Sequence, residues 1–376
     1  MSHKVGILGT RGYPSYYGGF ETAVRKLAPF LADNNWNVTV YGRHGSTKQD
    51  DKGVDIRVNR VDTFGLEYKS LSTLSYGFSS TLHAIFNRVE VALVMNCANG
   101  FWLPLLKLAG IPSVVNVDGM EWERAKWGNF AKRVFKIGAR MTARYADYII
   151  ADSHEIARRW KMEFGRTSNF IPYGGEPESG ISQDSLYPTQ SYILVVARFV
   201  PENSIPEFFE AVRHLDGRYP VVIVGSSGYG GSLDKAAAEL ASTYENVSWL
   251  GHLADDEQLA ALWRNAGAYF HGHSVGGTNP ALVQAMACGA PIVARDTPYN
   301  REVLASYAEF VGNTPDEIAA ALSGKIQNVQ KGNFVASAQL ERVKEIYNWP
   351  SVCAKYEQLL ARAITGGGKQ RLKVWR

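Results

Sequence analysis

Short runs of β-branched and aliphatic residues alternate with stretches of helical period along the chain, and the alternation runs twice. In the first half, KVGILGT (4–10), NVTVYGR (37–43), VALVMNC (91–97), PSVVNVDG (112–119) and DYIIADS (147–153) predict strands. Helical patterns fall between them, such as FETAVRKLAPFLADN (20–34). The alternation pauses at YGGEPESGISQDSLYPTQ (173–190), a stretch of turn formers that is expected to be a linker. It restarts with SYILVVARF (191–199), PVVIVGSS (220–227), NVSWLGH (246–252), GAYFHGH (267–273) and APIVARD (290–296). Strands that alternate with helices make doubly wound parallel sheets. The expectation is therefore α/β, with two Rossmann-like domains facing a cleft. The N-terminal domain is placed at 1–180, the C-terminal domain at 190–345, and a final helix and basic tail at 346–376.

A length of 376 residues suits two domains better than one core. Hydrophobic content of 45% and charged content of 20% exclude a disordered chain. The three cysteines, Cys97, Cys288 and Cys353, form no C-x-x-C pair, which points to a reducing compartment. The N-terminus lacks the apolar core of a signal peptide, and no clean apolar run reaches the ~18 residues a membrane span needs. A soluble, cytoplasmic chain is expected. The net charge of +4 matters only through its distribution.

In open α/β sheets, ligands bind beyond the C-terminal strand ends, so the strand-to-helix turns are the candidate sites. The first, GTRGYPSYYGGFET (9–22), places Gly18 and Gly19 before a helix beginning about Phe20. Glycines there let amides and the helix dipole meet an anion, although a plain loop looks the same. A dinucleotide fingerprint is a poor match, because the spacing differs and strand two ends in YGR rather than an acid, so NAD is not expected. The turn NVDGMEWERAKW (116–127) carries Asp118, Glu121 and Arg124. Asp118 there can orient or deprotonate a hydroxyl, or simply cap a helix.

From Arg124 to Arg144, both included, there are seven basic residues and no acidic one. Lys132, Lys136, Arg140 and Arg144 recur every four residues beside a second stripe of Val134, Ile137, Met141 and Tyr145. That pattern suits an anionic membrane surface, or else a solvated face. No nucleic-acid module accompanies it, so nucleic acid is not an expected partner.

In the second half, Arg198 ends an apolar strand, where an anion would compensate its burial. Gly225 and His252 end the next two strands and could frame a base or ribose. The 30 residues 265–294 contain no Asp, Glu, Lys or Arg. Within them, His273 precedes the turn Gly276-Gly277-Thr278-Asn279, and PALVQAMACG follows as a helix with Pro280 in its first turn and Gly289 at its end. Turn amides, a hydroxyl and a carboxamide at a helix N-terminus make a neutral cradle for a diphosphate, with Arg198 supplying charge.

In this order the motifs resemble family-4 glycosyltransferases of the GT-B fold. GTRGYPSYYGGFET, NVDGMEWERAKW, ARFVPENSI and HSVGGTNPALVQAM together resemble bacterial capsule and cell-wall polysaccharide rhamnosyltransferases. The resemblance implies a nucleotide diphosphate-sugar donor in the C-terminal domain and retention of configuration. It implies an acceptor, a saccharide or lipid-diphosphate-linked saccharide, on the N-terminal domain, on the side of Tyr17, Asp118, Glu121 and Arg124. It implies no metal and no other cofactor, and the sequence has no Asp-x-Asp triplet to hold one. Arg198 falls at the family's diphosphate-binding arginine, and Gly276–Asn279 at the donor sugar and phosphates. Gly18 and Gly19 match the N-terminal glycine loop, and a C-terminal helix crosses back to the first domain.

Three positions depart from the family. Gly276 and Gln284 stand where it carries glutamates; the second usually grips the ribose, where Gln284 can still accept one hydrogen bond, and Asn203 stands where a lysine is expected. Loss of the first carboxylate fits a deoxysugar such as rhamnose from dTDP-rhamnose. Arg11, Arg124 or His273 could compensate for the lysine. Two other activities fit the same domains: a sugar-nucleotide epimerase, and a catalytically weak nucleotide-sugar-binding protein. The enzyme is expected at the inner face of the plasma membrane, as a peripheral protein.

Overall fold

The computed structural model describes residues 2–16, 18–47, 53–66, 69–124, 127–176, 187–253, 255–332 and 336–371. Tyr17, most of the expected linker and the last five residues of the basic tail lie outside them. The chain divides into two units, Met1–Tyr173 with Trp349–Arg376, and Gly174–Asn348.

The N-terminal unit is built on seven parallel strands: β1 (Lys4–Leu8), β2 (Asn37–Arg43), β3 (Asn59–Thr63), β4 (Val91–Met95), β5 (Ser113–Asn116), β6 (Tyr148–Ala151) and β7 (Asn169–Phe170). Their order is β3-β2-β1-β4-β5-β6-β7. The C-terminal unit has six: β8 (Ile193–Val196), β9 (Val221–Val224), β10 (Val247–Gly251), β11 (Ala268–His271), β12 (Ile292–Arg295) and β13 (Glu309–Val311), ordered β10-β9-β8-β11-β12-β13. Both are Rossmann-like, and in each the strand order reverses beside the first strand of the unit.

The central strands are apolar at successive positions because helices cover both faces of each sheet. In β8, Ile193 and Val195 enter one apolar cluster with Phe208, Phe270 and Val293. Leu194 enters the opposite cluster, with Tyr269, Leu282 and Ile292. The sequence pattern missed β3, β7 and β13, and these lie at sheet edges, where little apolar surface is needed. β3 reads NRVDT and buries only its last residue.

The helix Trp349–Arg371 belongs to the N-terminal unit. Trp349, Val352, Tyr356, Leu360 and Ala363 join the core formed by β1, β2 and β4. Trp36 Nε1 donates to Glu357 at 3.0 Å, and Asn116 Nδ2 donates to the Tyr356 hydroxyl at 2.6 Å. Asn116 is 1% exposed, so this bond fixes the helix against the end of β5. The same carboxamide accepts the Asp118 N–H at 3.0 Å, which shapes the turn that follows.

Candidate functional site

β8 and β11 flank the reversal of strand order in the C-terminal unit, so the loops after them are where a ligand of this sheet would sit. Those loops are hydrogen-bonded to each other. Asn203 Nδ2 donates to the Arg198 carbonyl at 2.7 Å, and its Oδ1 lies 2.6 Å from His273 Nδ1. The amide nitrogen is thus turned toward a carbonyl, so Oδ1 accepts and His273 carries its proton on Nδ1. Ser274 donates to the Glu202 carbonyl through both its N–H and its hydroxyl, each at 2.9 Å. Ser204 Oγ donates to the Gly272 carbonyl at 3.0 Å and receives Arg295 Nη1 at 2.9 Å. Asn300 Nδ2 donates to the His273 carbonyl at 2.9 Å.

Arg198 differs from the expectation of a buried strand end. β8 stops at Val196, and Arg198 is exposed on the loop beyond it. Its guanidinium makes no hydrogen bond or ion pair among the described residues. Burial therefore gives no reason for an arginine here; an unpaired cation beside the strand-order reversal does. Asn203 had entered only as an absent lysine. It is the bridge between the arginine loop and the glycine turn, and Ser204, Ser274 and Asn300 complete that bridge. The signal for them in the sequence was short polar side chains in the segments after β8, β11 and β12.

The turn beyond β11 leads into the helix Pro280–Ala287. Gly276 has φ +94°, a conformation that side-chain-bearing residues rarely adopt. Asn279 is the N-cap, its Oδ1 accepting the Ala281 N–H at 2.9 Å, so the carboxamide oxygen expected to face a ligand serves the helix. The Asn279 amino group is not used by this cap. Thr278 is 4% exposed, and Gly276 and Gly277 are buried.

Of three further residues expected at the donor, Gly225 and Gln284 have polar groups engaged within the protein. Gly225, at φ +134°, is a contact between loops: a Cβ there would lie 1.8 Å from the Ala197 carbonyl oxygen. Its N–H donates to Gly251 at 2.7 Å and its carbonyl accepts Trp249 Nε1 at 2.9 Å, so both of its polar groups are engaged within the protein. His252 is exposed just past β10. Gln284 directs both ends of its carboxamide at the backbone of Glu176.

In the N-terminal unit, the helix starts at Gly19, one residue before the expected Phe20, with Gly18 as N-cap. A protein carboxylate occupies its first turn: Glu21 is 7% exposed and accepts the Arg11 N–H at 3.2 Å. Asp118 is not a helix cap. It sits in the left-handed region at φ +56°, 3.4 Å from Arg124 Nη2. Arg124 also pairs with Glu121 at 2.7 Å, and Trp127 Nε1 donates to the second Glu121 oxygen at 3.1 Å. Glu121 is 4% exposed. It and Arg124 hold the turn together, which removes Arg124 as a stand-in for the missing lysine. Asp118, about one-fifth exposed, is the most exposed member of the trio.

The basic helix spans Asn129–Tyr145, but its buried stripe is Phe135, Gly138, Ala139 and Thr142. The expected apolar stripe is shifted from that face: Ile137 is 44% exposed, and Val134, Met141 and Tyr145 are half-buried. Phe130 is 74% exposed. Arg133, Arg140 and Arg144 face solvent, Lys132 is half-buried, and Lys136 pairs with Glu163 at 2.9 Å. The outer surface of this helix is therefore both cationic and apolar. No helix among the described residues is long and apolar enough to cross a membrane. Nor do the described residues contain a group of three or more His, Cys, Asp or Glu placed to hold a metal ion.

Residues 180–337 match the family described as glycosyl transferases group 1, and residues 2–176 match a domain of unknown function, DUF1972. Over residues 180–337 the chain is thus similar to glycosyl transferases group 1. A phosphatidyl-myo-inositol mannosyltransferase of Mycolicibacterium smegmatis is 32% identical over 228 residues, 57% of each chain. An O-antigen chain mannosyltransferase of Salmonella typhimurium is 25% identical over 212 residues, 54% of this chain and 57% of that one. The match spans less than two thirds of the length of these relatives. A sucrose-phosphate synthase from Thermosynechococcus elongatus shares the fold with a TM-score of 0.82 at 17% identity, over 97% of this chain and all of that one. Anabaena HepE, solved with UDP-glucose, has a TM-score of 0.75 at 16% identity, over 95% and 99% of the two chains. The two Rossmann-like domains are those of the GT-B class.

Beneath the turn, His271 is 4% exposed, with Nδ1 3.1 Å from the Tyr269 hydroxyl. Burial pushes its pKa down to about 3. Between pH ~6.5 and ~3 the unfolded chain therefore holds a proton that the folded chain lacks. Stability contributed by the neutral ring is complete above pH ~6.5 and falls as the pH drops, by about 1.4 kcal/mol per unit for one proton. The imidazole carbon protons of His271 are predicted to show no titration by NMR between pH 8 and 4.5. A midpoint near 6.5 would contradict its burial.

Proposed function

We propose that this chain is a retaining, metal-independent glycosyltransferase acting in cell-surface polysaccharide synthesis. Its donor is a nucleotide diphosphate-sugar, with a deoxyhexose such as rhamnose from dTDP-rhamnose as the transferred group. The acceptor is a saccharide or lipid-diphosphate-linked saccharide. The observation that carries this reading is the unpaired, exposed Arg198, tied through Asn203 to the uncharged glycine turn at a helix N-terminus. The named relatives add support, since they are hexosyl transferases of lipid and O-antigen chains.

In this reaction the acceptor hydroxyl attacks the anomeric carbon on the face from which the diphosphate leaves. The glycosidic bond forms as the carbon–phosphate oxygen bond breaks, and the hydroxyl proton passes to the departing phosphate oxygen. Arg198 and the amides of Gly276–Asn279 stabilise the developing negative charge. The turn has no carboxylate, and a sugar lacking one hydroxyl needs fewer acceptors there. Asp118, braced by Arg124, orients the acceptor. The exposed Phe130, Ile137, Arg133, Arg140 and Arg144 seat the basic helix on the anionic inner leaflet, where lipid-linked acceptors reside.

Arg198→Ala is predicted to lower kcat/KM by about 10- to 100-fold, the worth of one charge-assisted contact in the transition state. Turnover within threefold of wild type would remove Arg198 from the leaving-group site. Replacing Lys132, Lys136, Arg140 and Arg144 together by Gln is predicted to weaken binding to phosphatidylserine vesicles at least tenfold, at about 1 kcal/mol per cation. Lys136 contributes least because Glu163 already pairs with it. Unchanged co-sedimentation with vesicles would rule out the membrane-facing role.

A further inference from the structure

The helix Pro280–Ala287 carries the glycine turn at its N-terminus, and one turn further along it holds the segment by which the chain enters the C-terminal unit. Gln284 Oε1 accepts the Glu176 N–H at 3.2 Å, while its Nε2 donates to the Glu176 carbonyl at 2.8 Å. One residue earlier, the Gly175 N–H donates to the Tyr347 carbonyl at 2.7 Å. Gly175 also pairs in parallel register with Asn348, the last residue of the unit before the chain leaves it. A Cβ on Gly175 would lie 2.8 Å from the Val283 carbonyl oxygen, so the segment lies directly on the helix backbone. Tyr347 is 1% exposed and packs in the same cluster as Leu282, Val283 and Met286. Entrance, exit and helix are thus joined within a few residues.

We propose that Gln284 is a positioning residue: its carboxamide latches the entering segment, at Glu176, to the helix whose N-terminus forms the candidate donor turn, and it does not contact the donor. The chemistry requires a carboxamide. Glutamine accepts from an N–H and donates to a C=O at once, as a neighbouring strand would. A glutamate would keep the first bond, lose the second and set a carboxylate against a carbonyl oxygen. Nε2 is directed at the Glu176 carbonyl and at Cys288 Sγ, 3.8 Å away, so a ribose hydroxyl could reach only the second lone pair of Oε1, beside the Glu176 N–H. Through the latch, ordering of the turn by a ligand is transmitted along one short helix to the chain entering the unit. This deepens the glycosyl-transfer reading and rests on it for the kinetic measurements alone.

The test compares Gln284→Met and Gln284→Glu with wild type, each first checked for an unchanged circular dichroism spectrum. Amide hydrogen exchange at Gly175 and Glu176 is measured without any donor, and nucleotide-sugar affinity is measured by calorimetry. The expected result is exchange of the Glu176 amide at least tenfold faster in Gln284→Met. Donor Kd should change less than tenfold, and kcat should fall while donor KM holds. In Gln284→Glu the Glu176 N–H keeps its acceptor, so its exchange lies between the other two. Unchanged exchange in Gln284→Met overturns the latch. So does a donor Kd weakened more than tenfold in Gln284→Met and restored in Gln284→Glu, the signature of a ribose ligand. If wild type binds no nucleotide-sugar, the glycosyl-transfer reading fails, and the exchange measurement still decides the latch.

Discussion

The candidate site depends on holding a cation loop and an anion-binding turn together without using up the charge of either. Asn203 and Ser274 do this with neutral groups. Asn203 bridges a carbonyl on the Arg198 side to an imidazole on the turn side, and Ser274 makes two bonds to one carbonyl of the opposite loop. Had a carboxylate made the link, it would have neutralised the guanidinium it was meant to place. Backbone carbonyls and carboxamides position Arg198 and leave its charge to act on a ligand. Ser204, fully buried, fastens the same assembly to Gly272 and Arg295.

The uncharged run 265–294 follows from the same constraint. Its helix buries Leu282, Val283, Ala285, Met286 and Ala287, and a charged side chain on that face would have to be desolvated. In the proposed reaction the turn at its N-terminus would therefore act through dipoles, the amides around Gly276 and the first-turn N–H groups, with Asn279 and Pro280 closing the helix end. The first glycine turn of the N-terminal unit is different. Glu21 already lies in its first helical turn and accepts from Arg11, so a negative group is built in. Similar glycine spacing in two turns thus yields two different electrostatic environments.

The central strands were legible because burial on both faces forces successive apolar residues, and β1, β2, β4 to β6, β8, β9, β11 and β12 all show it, while β10 was legible at a sheet edge although it buries only Val247. The edge strands β3, β7 and β13 escaped because an edge needs few apolar contacts. Pro280 and Gly276 were legible because each backbone conformation admits few residue types. What the sequence could not show was which polar atoms were already engaged within the protein. Glu121, Arg124, Gly225 and Asn279 sit in suitable turns and Gln284 on the helix that follows one, yet each has a polar group taken by a partner that only the fold brings near. The outer face of the helix Asn129–Tyr145 was misassigned for a related reason. Small residues, Gly138 and Ala139, pack closely where larger apolar ones were expected.

The central claim is that the linked loops beyond β8 and β11 bind a nucleotide diphosphate-sugar. The most direct measurement is a thermal-shift panel with dTDP-rhamnose, UDP-glucose, UDP-GlcNAc, GDP-mannose, their free nucleotides and NAD. A ligand at about a hundred times its Kd stabilises the folded state by about 2.7 kcal/mol, which moves a domain of this size by several degrees. The account predicts such a shift with one nucleotide-sugar, dTDP-rhamnose foremost, and none with NAD. A shift with NAD alone, or with none of the nucleotides, would contradict it.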